Sequence, residues 1–241
     1  MSVAATDQAL YQIVTEAEPD TIDGVLALMD RIDGVLEDND GLKWFNRLYR
    51  MVTEEVDLRP PNNGWKDTAW LDRLDVVFAG FYFRAIAAFL NNSRNAPNAW
   101  DALMESRFRG GIDRIQFAVA GMNAHINHDL ALALIATNRQ SNIWPTAASP
   151  QYTDYQAVNQ LLATVMPRAL DVLATGILGQ IAQDTGKVGR LLAFWNICKA
   201  RDLAWMYADH LRNLGGLQLQ LALATQDQIT GVLGRAILVC R

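Results

Sequence analysis

The chain has 241 residues, of which 51% are hydrophobic and 20% charged, and its formal net charge is −5. This composition is typical of a globular protein with a substantial core, and an acidic balance without a Lys/Arg-rich run argues against a nucleic-acid partner. Two cysteines make no disulfide framework. No apolar stretch reaches the ~20 residues of a membrane span, and Met1–Leu10 does not resemble a signal peptide. We therefore expect a cytoplasmic protein.

Helical periodicity runs along the chain from Asp20 and predicts roughly eight helices. They are expected at about residues 20–36, 42–58, 67–90, 99–107, 114–136, 153–183, 187–214 and 217–239. Pro167 is expected to bend or split the sixth helix. No alternating segment is bounded by hairpin turns, so strands are not expected. We therefore predict an all-α fold, a single-domain multi-helix bundle over residues 1–241; a boundary in the irregular stretch 138–151 is the alternative.

Two of the three histidines lie in the fifth predicted helix, where the sequence reads His125-Ile-Asn-His128-Asp129. Their spacing of i, i+3 and i+4 places both imidazoles and the carboxylate on one side of the helix. Two imidazoles one turn apart can hold a divalent metal, and the carboxylate can complete the set or orient a histidine. The alternatives are a metal-free acid/base site and a buried polar network that ties helices together.

One helix alone leaves such a metal under-coordinated, so other helices must supply ligands. Asp75, flanked by apolar residues, is the best candidate, and Glu54 comes next. Each also has an ordinary explanation, since Asp75 could pair with an arginine and Glu54 could face solvent. The predicted metal set is therefore His125, His128, Asp129, Asp75 and Glu54, with iron, zinc or manganese as the ion. The same residues, Glu54 excepted, are the predicted catalytic groups.

A pocket for a small, partly apolar molecule is expected beside this cluster, because polar residues alternate with aromatic ones nearby. The predicted substrate-binding residues are Asn127, Arg201, Arg47, Tyr82 and Trp205. The two arginines could hold an anionic substrate. No Gly-rich phosphate loop follows a strand, so no nucleotide cofactor is expected.

The segment Gln116–Leu130, with its His-Ile-Asn-His-Asp core, resembles a bacterial family known as a domain of unknown function. Weaker matches extend the resemblance over about residues 40–215: 46–49 with 52–53, 74–79, 154–155 with 158–159, and 200–201 with 204–205. The resemblance implies a mostly helical single domain and no established activity. It directs attention to Asp75, Asn127 and Arg201, which fall in the matching pieces.

Three hypotheses about function follow. The first is a metal-dependent enzyme that hydrolyses a small metabolite, or carries out an oxidative or cyclising biosynthetic step on it. The second is a metal-free isomerase or cyclase in which a histidine does acid/base work. The third is a non-catalytic helical binding module. The apolar C-terminal helix could also form a homodimer face, although core packing explains it equally well.

Overall fold

The computed structural model describes residues 3–16, 18–175 and 196–239, and in these ranges all regular structure is helical. The elements are α1 (Val3–Glu16), α2 (Ile22–Val35), α3 (Gly41–Leu58), α4 (Thr68–Leu90), α5 (Asn98–Ser106), α6 (Arg114–Ala124), a π-helical turn (His125–Asp129), α7 (Leu130–Gln140), α8 (Pro150–Thr175), α9 (Ile197–Leu211) and α10 (Gly216–Val239). Since α6, the π turn and α7 are continuous, the described residues form 9 helices, and the predicted all-α bundle is confirmed.

The predicted helices recur close to their expected bounds, except that α9 begins at Ile197 and not near 187, because Asn196 is an extended N-cap residue. Helix α1 is an addition that the periodicity from Asp20 onward did not include. It buries Leu10, Ile13 and Val14, a narrow apolar stripe. Helix α8 runs through Pro167 without a break, so the expected split there does not occur. The expected helical segments 176–183 and 187–195 lie outside the described residues.

Helix starts are fixed by side-chain caps. Thr21 accepts from the backbone N–H of Gly24, and Asp67 accepts from that of Trp70. Such caps satisfy amide groups that the first helical turn leaves unpaired. Asp154, on α8, adds a long-range cap, because its carboxylate accepts the N–H groups of Lys66 and Asp67 at 2.7–2.9 Å. The start of α4 is thereby tied to α8.

Helices α3 and α6 cross with reciprocal glycine–phenylalanine contacts. Phe117 of α6 lies against Gly41 of α3, and Phe45 of α3 lies against Gly121 of α6. A Cβ atom added at Gly121 would come within 2.3 Å of the Phe45 ring, so only glycine permits this approach. The crossing holds Phe45 beside His125, with ring centroids 5.8 Å apart.

We expect Gly121→Ala to lower the free energy of unfolding by about 1–3 kcal/mol, because overpacking forces neighbouring side chains out of their rotamers. Gly34→Ala is the matched control: it lies in α2, and a Cβ there meets no atom within 4 Å. There, alanine should stabilise by about 0.5–1 kcal/mol. Urea unfolding followed by circular dichroism compares the two, and equal effects would contradict the packing account.

Helix α10 packs against α5 through small residues. A Cβ added at Gly231 would come within 2.6 Å of the Asn98 carbonyl oxygen, and one added at Gly234 would come within 2.9 Å of Ala102. Large apolar side chains on the other side of α10 remain exposed, including Leu217 and Val232 at 69% and 65%. The homodimer stays a prediction. No helix among the described residues is both long and apolar enough to cross a membrane.

Candidate functional site

The histidine segment is a π-helical turn and not a regular α-helix. The backbone N–H of Leu130 donates to the carbonyl oxygen of His125, five residues earlier. π turns inside α-helices are frequent at functional sites. This one contacts α4, α9 and α10. The carbonyl of Asn127 accepts a hydrogen bond from the side chain of Gln226 at 2.6 Å, which fixes the turn against α10.

Asp129 is the centre of the polar cluster. One of its oxygens, Oδ2, lies 3.0 Å from Nδ1 of His125 and accepts the indole N–H of Trp100 at 3.0 Å. The other, Oδ1, lies 2.7 Å from Nδ1 of His128. The carboxylate is buried, so three donors compensate the cost of removing its charge from water. The predicted grouping of His125, His128 and Asp129 is thus a hydrogen-bonded triad in this structure.

The cluster sets the protonation of its members. Burial raises the pKa of Asp129, but the hydrogen bonds from His125 and His128 outweigh it and bring the pKa below the ordinary value. Burial lowers the pKa of His125, and its hydrogen bond to Asp129 only partly opposes this. An ionised Asp129 beside a neutral His125 requires the His125 Nδ1 to carry the hydrogen. The other ring nitrogen, Nε2, is then a base with a free lone pair.

Aromatic rings enclose His125. Phe78 stacks flat on the imidazole, with centroids 3.5 Å apart, and Tyr49 meets it edge-on at 4.5 Å. The imidazole is fully buried, and its Nε2 has no hydrogen-bond partner among the residues that the structure describes. A buried polar atom without a partner costs about 1–3 kcal/mol. Such an atom needs an explanation, and a catalytic or ligand-binding role is one.

His128 joins the cluster to two further helices. Its Nε2 lies 3.7 Å from Oδ1 of Asp227, on α10. The carboxylate of Asp227 accepts the backbone N–H groups of Asn98 and Ala99 at the start of α5. Burial lowers the pKa of His128, but the hydrogen bond to Asp129 and the charges of Asp129 and Asp227 raise it above the ordinary histidine value. The two carboxylates therefore favour the protonated form of His128, which links them.

The predicted metal set is only partly brought together. His125 and His128 both direct Nδ1 at Asp129, so these three side chains bind one another. Glu54 lies apart, in an ion pair with Arg50 at 3.0 Å. Among the residues that the structure describes, no group of three or more His, Cys, Asp and Glu side chains is arranged to hold a metal ion. The metal stays a prediction.

Asp75 lies on α4, one turn before Phe78, and is half-buried. Burial is the main cause that raises its pKa to about 7; the charge of Arg201 lowers it and those of Asp72 and Asp57 raise it further. Asp75 is also close enough to Tyr49 for its charge to raise the pKa of that buried phenol, after burial itself. Asp75 therefore belongs to the surroundings of His125, at a pKa suited to proton transfer near neutral pH.

We expect Asp75→Asn to stabilise the protein at pH 8. A pKa raised from 3.8 to about 7 gives a stabilising contribution that is complete below pH 3.8 and is lost as pH rises through 7. Asparagine imitates the neutral carboxyl, so the variant should melt at a higher temperature than the parent at pH 8 and at the same temperature near pH 4. Thermal unfolding measures this, with exposed Asp209→Asn as control. A higher melting temperature for the parent than for Asp75→Asn at pH 8 would contradict this prediction.

Arg201, on α9, is buried against α8. Its Nε donates to Oδ1 of Asn159 at 2.6 Å, and its guanidinium carbon lies 4.3 Å from the centre of the Tyr155 ring. The hydroxyl of Tyr155 donates in turn to the carbonyl oxygen of Arg201 at 2.6 Å. The charge of Arg201 lowers the pKa of Asp75.

The other predicted substrate-binding residues lie elsewhere or are already engaged. Arg47 pairs with Asp33 on α2 at 2.7 Å. Tyr82 packs 6.3 Å from His125, but its hydroxyl donates to Asn46. Asn127 donates to Asn123, on the side facing α10, and Trp205 packs among Trp70, Tyr152 and Tyr155. Of the five, only Arg201 carries a charge that affects the pKa of Asp75.

Trp100 and Asp227 are parts of the cluster that sequence reasoning missed. Trp100 lies on the short helix α5 and Asp227 on α10, both far from the histidines along the chain. Neither has a local motif. Asp227 is the single acidic residue in the described sequence of α10, and that charge was the one available signal.

Comparison with known proteins places this geometry in a family without an assigned activity. The model of a family of unknown function matches residues 22–240. No curated protein and no solved structure matches the chain. Because the family model spans far more than half of the chain, and more than the residues 40–215 that carry the resemblance, the protein belongs to this family, DUF5995.

Proposed function

We propose that the protein is a metal-free acid/base enzyme that acts on a small molecule, with His125 as the base. The observation that carries the proposal is the buried Nε2 of His125, which has no hydrogen-bond partner within the described ranges 3–16, 18–175 and 196–239. Asp129 holds the opposite nitrogen at 3.0 Å, as an orienting carboxylate does in nucleophile–histidine–aspartate sites. The pair is thus set up to take a proton from a molecule placed at Nε2.

The chemistry follows from the charges. Nε2 removes a proton from the substrate, and the imidazolium that forms is stabilised by the ionised Asp129 next to it. His125 then returns the proton at another position, so the net reaction is an isomerisation or a cyclisation. Asp75, with its pKa raised to about 7, is the second proton-transfer group. The rings of Phe78 and Tyr49 exclude water, which keeps the electrostatic interactions strong.

The test is exchange of carbon-bound hydrogen in heavy water. Parent protein treated with EDTA is incubated in D₂O with a panel of small amino, hydroxy and keto acids, and deuterium uptake is followed by proton NMR. We expect uptake into at least one compound. His125→Asn should slow it at least about 100-fold, the lower end of the contribution of general acid–base catalysis. His210→Asn, an exposed histidine at the end of α9, is the control and should exchange like the parent.

The parent's pH profile provides a second readout if His125→Asn does not fold. Because the pKa of His125 is lowered, protonation of this base should reduce the rate only in acid, below the ordinary histidine value, separately from the change near pH 7 that the titration of Asp75 produces. Exchange that requires added zinc, iron or manganese would favour the metal-dependent enzyme predicted from the His-x-x-His-Asp spacing. Exchange that survives in His125→Asn, or that no compound undergoes, contradicts the proposal.

A further inference from the structure

Asp227 on α10 holds the start of α5. Its Oδ2 accepts the backbone N–H of Asn98 at 3.0 Å and the side-chain amide of the same residue at 2.6 Å, and its Oδ1 accepts the backbone N–H of Ala99 at 2.8 Å. Pro97, at the N-cap position, provides no side-chain cap, so the carboxylate replaces it from a neighbouring helix. Gly231, one turn after Asp227, permits this close approach, since a Cβ there would lie 2.6 Å from the Asn98 carbonyl oxygen.

The same carboxylate reaches the histidine cluster. Oδ1 of Asp227, which accepts the Ala99 N–H, also lies 3.7 Å from Nε2 of His128. The opposite nitrogen of that imidazole, Nδ1, lies 2.7 Å from Oδ1 of Asp129. Each ring nitrogen thus faces a carboxylate oxygen, and only the protonated ring offers an N–H group to both. His128 is therefore held in a defined orientation between Asp227 and Asp129.

The two elements that Asp227 holds each bring a donor to Asp129. Trp100 lies in the first turn of α5, and its indole N–H donates to Oδ2 of Asp129 at 3.0 Å. His128 binds the other oxygen, Oδ1. Because each oxygen has its own donor, the carboxylate cannot rotate without losing a contact. This orientation leaves Oδ2 at 3.0 Å from Nδ1 of His125, the contact that keeps hydrogen on Nδ1 and leaves Nε2 bare.

We propose that Asp227 is a positioning residue of the acid/base site. It acts through other residues, because it holds the two donors, Trp100 and His128, that orient the Asp129 carboxylate. The oriented carboxylate in turn keeps His125 in the tautomer with a bare Nε2. This inference rests on the proposed function, since a fixed tautomer of His125 serves catalysis only if that ring is the base. Helix α10 is then part of the site.

A residue that only caps α5 and a positioning residue predict different results for the His125 ring. Removal of a cap lowers stability but leaves the ring with hydrogen on Nδ1. Removal of a positioning residue lets the Asp129 carboxylate turn, so its hydrogen bond with Nδ1 weakens and a second form, with hydrogen on Nε2, becomes populated. Asp154 supplies the matched comparison, because its carboxylate is also a long-range cap, at Lys66 and Asp67.

The test is nitrogen NMR at pH 7 of the full chain with labelled histidines, applied to the parent, Asp227→Ala and Asp154→Ala. We expect hydrogen on Nδ1 of His125 alone in the parent and in Asp154→Ala, and a mixture of both tautomers in Asp227→Ala. If Asp227→Ala does not fold, Asp227→Ser replaces it. The single oxygen of serine can cap α5 but is too short to reach His128 as well, so the same mixture is expected. The proposal is overturned if the Asp227 variant keeps the parent's tautomer, or if Asp154→Ala shows the same mixture.

Hydrogen exchange separates this inference from the proposed function. For a compound that the parent exchanges, Asp227→Ala should lower the saturated rate roughly 10- to 100-fold, because a small misplacement of a catalytic group costs up to about 100-fold. KM should stay unchanged, since Asp227 acts on the base and not on the substrate. A tautomer mixture in Asp227→Ala without exchange by the parent would refute the acid/base function alone. Exchange by Asp227→Ala at the parent's rate, with His125→Asn inactive, would refute the positioning role alone.

Discussion

Replacement of Asp129 by alanine should lower the free energy of unfolding by about 3–5 kcal/mol, the cost of removing one partner from a buried charged pair. Three buried donors converge on this carboxylate: the Nδ1–H groups of His125 and His128 and the indole N–H of Trp100. Alanine provides no acceptor, and each donor left unpaired costs about 1–3 kcal/mol. A change of tautomer can relieve the two imidazoles in part, but it cannot relieve the indole.

Urea unfolding at pH 7 measures this loss. Asp209→Ala is the matched control, because Asp209 is an exposed carboxylate on α9 that pairs with Arg212, and exposed pairs contribute about 0–1 kcal/mol. The difference in free energy of unfolding between the parent and Asp129→Ala should become smaller in acid. The pKa of Asp129 is lowered, so its contribution is present above the ordinary carboxyl value and is lost as pH falls through the lowered one. A loss below about 1 kcal/mol at pH 7 would show that the triad is not a connected network.

Arg107→Met should produce a comparable loss, again about 3–5 kcal/mol. Arg107 follows α5, and its Nε and terminal nitrogen contact both oxygens of Asp40 at 2.7–3.1 Å. Asp40 is fully buried at the start of α3, where it also caps Leu42. Burial raises the pKa of Asp40 although Arg107 lowers it, so the carboxylate without the arginine would be poorly tolerated.

A double variant separates the pair's net contribution from the cost of breaking it. Arg107→Met with Asp40→Leu removes both charges, and replacing a buried ion pair by apolar residues is often neutral. The double variant should recover much of the stability lost in Arg107→Met. The recovery is incomplete because Asp40 no longer accepts the backbone N–H of Leu42. Arg59→Met, which breaks an exposed pair with Glu55, should change stability by less than about 1 kcal/mol. A double variant as unstable as the single one would refute the idea that the unpaired Asp40 causes the loss.

The helical fold could be predicted because its signals are local. Apolar periodicity and the polar or glycine-rich stops between helices mark the elements from α2 to α10 within a few residues, apart from the start of α9 at Ile197. Helix α1 has a narrower apolar stripe, and it becomes recognisable only through its contacts with α2 and α4. The reciprocal contacts of Gly41 with Phe117 and of Phe45 with Gly121 depend on how two helices cross, which periodicity does not specify.

The site could be predicted only in part, because only part of it depends on residues that are neighbours along the chain. The i, i+3, i+4 spacing already indicates that His125, His128 and Asp129 share a side of their helix. It does not indicate that the imidazoles turn to the carboxylate, because a π turn differs from an α-helix by a shift in backbone hydrogen bonding that sequence does not encode locally. Trp100 and Asp227 reach the cluster only through tertiary packing. Arg47 and Glu54 were predicted site residues, and only the structure reveals that they pair with Asp33 and Arg50.

The state of the His125 ring is the most direct test of the account. Nitrogen NMR of protein labelled in its 3 histidines reports which ring nitrogen carries hydrogen and at what pH each ring is protonated. Spectra of His128→Gln and His210→Gln assign the signals. We predict that at pH 7 the His125 ring is neutral, with hydrogen on Nδ1 and a bare Nε2, and that it is protonated only below the ordinary histidine pKa. Hydrogen on Nε2, or an imidazolium at pH 7, would contradict its role as the base.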